Sequence, residues 1–178
     1  MRRELLEQQA ASLGLPLIVI PLEAGCTNAD YEGAFHAALE QVAGDQPEIT
    51  KIAFGDLFLA DVRAYRERLL ADTKFSGLFP LWLENTRALA EQFINDGFKA
   101  ILVCTDNTQL DTAFCGRDFD RALLADLPSG TDPCGENGEF HTFVHDGPIF
   151  SSPIPVVRGE RVLREERFTY CDLLPTPS

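Results

Sequence analysis

Apolar positions recur along this chain at two spacings, and the alternation between them predicts the order of its elements. Leu5, Leu6, Ala10 and Leu13 fall at helical intervals over residues 3–13, and Gly14 stands where a left-handed cap ends a helix. Leu15-Pro16-Leu17-Ile18-Val19-Ile20-Pro21-Leu22 is a continuous branched run with prolines marking its ends, the pattern of a strand covered on both faces in a parallel sheet. Thr27-Asn28-Ala29-Asp30 offers an N-cap with an acid in the first turn, and Tyr31, Phe35, Ala38, Leu39 and Val42 carry a second helix to Gly44. Residues 51–54 predict a short strand stopped by Gly55-Asp56, after which Leu59, Val62, Tyr65, Arg66 and Leu69 follow a helical repeat. Asn85 is placed to cap a helix that reaches Phe98, with Gly97 at its end, and residues 99–105 predict another buried strand.

From about residue 110 the pattern changes. A short helix over 118–127 and a loop rich in glycine and proline precede period-two segments at 140–144, 154–158 and 161–170, the last two joined as a hairpin through Gly159-Glu160. Alternating strands and helices predict an α/β class with a mainly parallel sheet and flanking helices. The shift in pattern divides the chain into residues 1–109, of nucleotide-binding α/β type, and residues 110–178, a small α+β region. One continuous domain fits as well. No fixed-period repeat or low-complexity tract interrupts this order.

Composition narrows the choice of partners. The 178 residues, 45% of them hydrophobic and 13 of them Phe, have enough apolar surface to offset the entropy of ordering one domain-sized chain. With 15 Lys and Arg against 28 Asp and Glu, the net charge of -13 repels nucleic-acid backbones and anionic membrane surfaces. The longest apolar runs are strand-sized, so no transmembrane helix is expected. Met1-Arg2-Arg3-Glu4 leads into a Gln- and Glu-bearing amphipathic helix in place of an apolar signal core, and a cytoplasmic location is expected. Cys26, Cys104, Cys115, Cys134 and Cys171 are odd in number and lack Cys-x-x-Cys spacing, which predicts reduced thiols and neither a disulfide framework nor a zinc ribbon.

In open parallel sheets ligands gather beyond the carboxyl ends of the strands, where three polar clusters are predicted to fall. Gly55-Asp56 with Arg63, Arg66 and Glu67 suits a nucleotide, the carboxylate taking a ribose hydroxyl or a metal and the arginines a phosphate. A helix cap beside a solvated charged face fits the same residues. Thr105-Asp106-Asn107 with Gly116-Arg117 is weaker, since turns are rich in these residue types. The third cluster runs from Gly130 to Gly147 and packs four carboxylates, two imidazoles, one thiol and four glycines into one passage from loop to strand. Glu136 and Glu139 there suit orienting an amine or general-base work, while a pair of tight turns with exposed acids is the plainer account. Cys134, Glu139, His141 and His145 have donor atoms for zinc but no metal-site spacing, so no metal is expected. Cys134 with a histidine base also fits nucleophilic catalysis by residue type.

Phe54-Gly55-Asp56-Leu57-Phe58-Leu59, Arg63-Ala64-Tyr65-Arg66-Glu67, Phe79-Pro80-Leu81-Trp82, Gly116-Arg117 and the stretch from Asp132 through Gly135-Glu136-Asn137-Gly138-Glu139 to Phe143 occur in the order of a known family. Over nearly all of its length the chain resembles the diphthine–ammonia ligase family, with the glycine-glutamate block the most specific match. That family belongs with the PP-loop ATP pyrophosphatases, which have an adenine-nucleotide alpha-hydrolase-like sheet. The resemblance implies an ATP-dependent, AMP-forming amide ligase, with Mg accompanying the ATP. A carboxylate acceptor is adenylated, pyrophosphate leaves, and ammonia displaces AMP. Carried over by position, Gly135, Glu136, Asn137, Gly138, Glu139, His141 and Thr142 face the acceptor substrate, and Gly55, Asp56, Arg63 and Arg66 lie near the nucleotide. His141 stands where many relatives carry an acid, which points to a bacterial-type branch and leaves the acceptor open between diphthine, the modified histidine of an elongation factor, and another carboxylate.

One signature of the family has no counterpart in these residues. Its members begin with a strand and a Ser-Gly-Gly-Lys-Asp-Ser loop that cradles the ATP phosphates, and none of the chain's serines, at 12, 76, 129, 151, 152 and 178, sits in such a loop. Without its N–H donors, helix N-terminus and lysine, ATP is expected to bind this chain weakly. The corresponding strand lies mid-sheet in the resembled fold, so either a partner or a second copy covers the open edge, or the start is internal to a longer gene. The rival expectation is a binding or regulatory module that keeps the acidic acceptor pocket without chemistry. A plain α/β domain whose loop acids are solvated is a third.

Overall fold

Arg3–Leu13 forms helix α1, and Gly14 at φ 67° closes it with its N–H on the Ala10 and Ala11 carbonyls, as the spacing predicts. The computed structural model describes residues 2–23 and 25–176. Helix α2 (Asn28–Asp45) starts at a capping box in which the Thr27 hydroxyl accepts from the Asp30 N–H and the Asp30 carboxylate accepts from the Thr27 N–H. Strand β1 (Lys51–Ala53), helix α3 (Ala60–Leu70) and strand β2 (Ser76–Leu78) follow. Helix α4 (Thr86–Asn95) is capped by the Asn85 side chain on the Ala88 N–H at 2.8 Å, and Gly97 turns left-handed beyond its end. Strand β3 (Lys99–Asp106), a short 3₁₀ turn (Thr112–Phe114), helix α5 (Arg121–Asp126) capped by Asp120, and strands β4 (Phe140–Asp146), β5 (Val156–Arg164) and β6 (Phe168–Pro175) complete the chain.

The chain divides into two units, residues 18–83 and residues 1–17 with 84–178. In residues 18–83, β1 and β2 pair in parallel, Lys51 opposite Ser76 and Ala53 opposite Leu78. Leu39, Leu70 and Phe75 form the core there, with Phe35, Ile52 and Phe54 packed against them. His36, mid-helix in α2, meets the Leu69 carbonyl at 2.8 Å through Nε2.

In the other unit, four strands run in the order β4-β3-β6-β5, every pairing antiparallel. Its two cores involve β3. Ala100 and Leu102 pack with Ala90 of α4 and Leu123 and Leu124 of α5, whereas Ile101 packs with Leu5 of α1, Phe143 and Leu173. Helix α1 is strapped down by an Arg2–Asp172 ion pair at 2.6 Å, by Gln9 Nε2 donating to the Val144 carbonyl and by Ser12 Oγ donating to the Ser152 carbonyl.

A mixed α/β class is present, but three expectations are corrected. Parallel pairing is confined to β1 and β2. The apolar continuity of β3 reports burial on both faces, which is typical of parallel strands but is achieved here in an antiparallel sheet. Residues 15–22 form no strand. The hairpin turns at Glu165 and Glu166, both left-handed at φ 53° and 50°, while Gly159 and Glu160 occupy a register shift inside β5. Two consecutive positive φ values are normally signalled by Asn-Gly, so Glu-Glu conceals the turn. No helix among the described residues is long and apolar enough to cross a membrane.

What holds the turn is Asp106, at the end of β3 and 1% exposed. Its Oδ1 accepts from Arg167 Nε at 3.0 Å and from both the N–H and hydroxyl of Thr108, and its Oδ2 accepts from Arg167 Nη2 and Gln109 Nε2. The Arg167 guanidinium, aided by the Gln109 and Thr108 donors, holds this carboxyl far below the ordinary carboxylate range. Because the folded pKa is depressed, the stabilisation is present above the unfolded pKa, about 4, and is lost as pH falls below it. Arg167→Ala is therefore expected to lower the urea midpoint at pH 7, with the difference from the parent chain shrinking in acid below about pH 4; a pH-independent difference would count against the charge pair.

Candidate functional site

The stretch between α5 and β4 is built from two tight turns that point acids inward. Asp132 Oδ2 accepts from the Cys134 and Glu136 N–H groups at 3.1 and 3.0 Å, an Asx-type turn, and the Gly135 N–H returns to the Asp132 carbonyl at 2.9 Å. Gly135 has φ 72°, and a Cβ there would meet the Phe140 carbonyl oxygen at 2.8 Å and its ring at 3.1 Å. Gly138, at φ 82°, donates to the Gly135 carbonyl and makes the second turn. Both glycines are required by backbone geometry, the first also by close approach.

These turns deliver Glu139 to the start of β4 with 2% exposure. Its Oε1 accepts from the Asp132 N–H at 2.8 Å and from Asn137 Nδ2 at 3.0 Å, whereas its buried Oε2 has no hydrogen-bond partner. An unpartnered buried carboxylate oxygen is costly, and an N–H donor or a proton placed against it relieves that cost. The loop is anchored from behind by Asp106, whose N–H donates to the Glu139 carbonyl at 2.9 Å, and by Gln109, whose amide reaches the Asn137 carbonyl at 3.4 Å. Glu136 is half-buried, its N–H on Asp132.

Cys134 Sγ donates to the Thr86 carbonyl at 3.2 Å, and burial, with the Asp132 and Glu136 charges, pushes its thiol up to about 11. At neutral pH it is a protonated donor, unlike an activated nucleophile. No three side chains of the metal-ligating types come together among the described residues.

His141 and Thr142, grouped with the glutamates by sequence position, lie on β4 and line a cavity of about 930 Å³ over the antiparallel sheet, shared with Val103, Cys104, Tyr170 and Leu173. His141 is exposed there, opposite Cys104 in the register. Gly116 and Arg117, by contrast, form a supporting turn: the Gly116 N–H bonds the Leu102 carbonyl at 2.7 Å and Arg117 pairs with Asp126.

The nucleotide candidates belong to residues 18–83. Gly55 and Asp56 follow β1, and the Asp56 carboxylate lies 3.7 Å from Arg66 Nε, with neither atom hydrogen-bonded. Arg66 donates to the Tyr31 hydroxyl through Nη1 and lies over the Phe54 ring; it also borders a cavity of about 480 Å³ with Tyr31, Asp61 and Tyr65. The Arg63 guanidinium is 4.6 Å from the Phe79 ring centroid and 4.7 Å from that of Trp82, and pairs with Glu67 at 2.9 Å. Both arginines are thus engaged by aromatic rings and acids.

The acidic loop from Asp132 to Glu139 falls inside residues 85–173, which match the family model for the diphthamide synthase C-terminal domain, whereas the candidates at 55–66 lie outside that match. The chain belongs to the diphthamide synthase C-terminal domain family. Similar proteins named diphthine–ammonia ligase include one from Schizosaccharomyces pombe, 24% identical over 76% of this chain and 23% of its own length. The Bos taurus protein of that name is 26% identical over 80% of this chain and 54% of its own, and the Danio rerio protein 25% identical over 88% and 67%. The chain spans well under two thirds of the first two of these relatives. Family membership was legible in the Gly135–Glu139 stretch; the supporting trio Asp106, Gln109 and Arg167 was not, because Asp106 and Arg167 are 61 residues apart.

Glu139→Ala strands the Asp132 N–H and the Asn137 amide and is expected to cost about 1–3 kcal/mol in denaturant unfolding, whereas Glu139→Gln, which keeps an acceptor, stays within about 1 kcal/mol. Gly135→Ala is expected to cost about 2 kcal/mol or more, from the left-handed backbone and the contact with Phe140. A neutral result at Gly135 would contradict the turn geometry.

Proposed function

We propose that this chain carries the acceptor side of an ATP-dependent, AMP-forming amide ligase of the diphthine–ammonia type. In the whole reaction an acceptor carboxylate is adenylated, pyrophosphate leaves, and ammonia displaces AMP to form the amide. Adenylation replaces a poor leaving oxygen by a good one, and holding the amine beside the activated carbonyl makes the second step effectively unimolecular.

The observation that carries this reading is Glu139: a carboxylate held rigidly through one oxygen, with the other buried and unpartnered, inside the stretch that matches the family. Such an oxygen suits an ammonium or amine N–H, which it orients while accepting a proton as the amide forms. Glu136, one turn earlier, adds negative charge of the kind that attracts a cationic amine. The acceptor is a carboxylate compound; diphthine is the one suggested by the relatives' name.

No step is assigned to ATP at residues 55, 56, 63 and 66, because Arg63 and Arg66 are already engaged by rings and acids. The engagement of Arg63 and Arg66 by aromatic rings equally favours a second reading, in which the chain binds the acceptor without chemistry as a regulatory module. Titration calorimetry with Mg and ATP is expected to give a Kd above about 1 mM. Low-micromolar binding would overturn the view that a dedicated loop is needed and restore these residues as a nucleotide site.

A further inference from the structure

The cavity of about 930 Å³ over the antiparallel sheet is lined entirely by residues of 1–17 and 84–178, and so lies within one unit. The register lays out its floor: His141 is opposite Cys104, Cys104 opposite Tyr170 and Tyr170 opposite Val162, a single row across four strands. Three inter-strand steps make that row about 14 Å long, a span that suits a small molecule. Leu5, Val103 and Leu173 add apolar wall.

Two charged side chains in that lining have no counter-ion. The Arg164 guanidinium lies 5.4 Å from the Tyr170 ring centroid, and among the described residues it has neither an ion pair nor a hydrogen bond. Stacking on a ring uses the face of a guanidinium and leaves its edge N–H groups free, the fork that takes a carboxylate through two hydrogen bonds. Glu160, likewise without an ion pair or hydrogen bond among the described residues, stands four positions earlier on β5. Four strand positions separate the two α-carbons by roughly 13 Å, too far for the charges to neutralise one another in water. Val162 lies between them. The cavity's other acid, Asp172, is already satisfied by two hydrogen bonds from Arg2.

We propose that this cavity binds a small dipolar molecule, with an anionic group on Arg164, an ammonium on Glu160 and an aliphatic body laid over Val162 and Tyr170. The order of charges fixes its direction, since the reversed pose sets like charge on like. A lone anion is repelled at long range by a chain of net charge -13, whereas a molecule of zero net charge is not. Exposed ion pairs are weak by themselves, so burial of the methylenes supplies the affinity and the two charges supply the selectivity. The inference does not rest on ligase chemistry.

The test titrates ω-aminooctanoate into the full chain at fixed ionic strength, with octanoate and octylamine as singly charged controls, and follows amide chemical shifts by NMR. The amides of Cys104, His141 and Tyr170 are expected to shift together, with a Kd at least about fivefold lower for ω-aminooctanoate than for either control. That comparison needs no variant to fold. Arg164→Gln and Glu160→Gln are each expected to remove the preference, and Glu160→Lys to transfer it to octanedioate, which carries a carboxylate at both ends. Equal affinity for the dipolar and singly charged probes, shifts confined to other parts of the chain, no shift up to about 20 mM, or a preference that survives Arg164→Gln overturns the proposal.

Discussion

A charged carboxylate withdrawn from water must find its hydrogen bonds inside the protein, and the unit built on the antiparallel sheet is arranged around that requirement at Asp106. At 1% exposure, this side chain collects donors from Arg167, Thr108 and Gln109, and its backbone N–H goes to Glu139. Three pieces of chain far apart in sequence are thereby fixed to one point: the end of β3, the β5–β6 turn and the acidic loop. Removing Arg167 leaves a buried carboxylate without its charged donor, so the assembly holds as a set.

The acids of the loop are mainly structural, although they sit where chemistry is proposed. Asp132 holds two backbone amides, and one oxygen of Glu139 holds a third together with a side-chain amide. In a chain with 28 acidic residues, most carboxylates face water; these two are spent on shaping backbone. The remaining oxygen of Glu139 is the exception, and rigidity of its surroundings is what makes that exception usable, because a carboxylate fixed on one side presents a fixed direction on the other.

Local signals were legible and distant ones were not. Gly14, Thr27 with Asp30, and Asn85 each act within a turn of their own position, so helix boundaries followed from neighbouring residues. The direction of β3 depends on where β4 and β6 lie, which apolar periodicity does not encode; two-sided burial looks alike in parallel and antiparallel sheets. The stretch around Glu139 was recognisable because residue type and spacing recur in relatives. Its support through Arg167 carries no local mark, and spacing does not reveal that His141 and Thr142 line the cavity over the sheet.

The aromatic clasp on Arg63 has an optical consequence. Trp82 is the chain's single tryptophan and belongs to residues 18–83, as do Tyr31 and Tyr65, leaving Tyr170 as the lone fluorophore of that kind in the remaining part. Excitation at the indole band thus watches residues 18–83 while the remainder stays dark. The stacked guanidinium is a local influence on that emission, which makes loosening of the clasp separable from melting of the four-stranded half followed by other means.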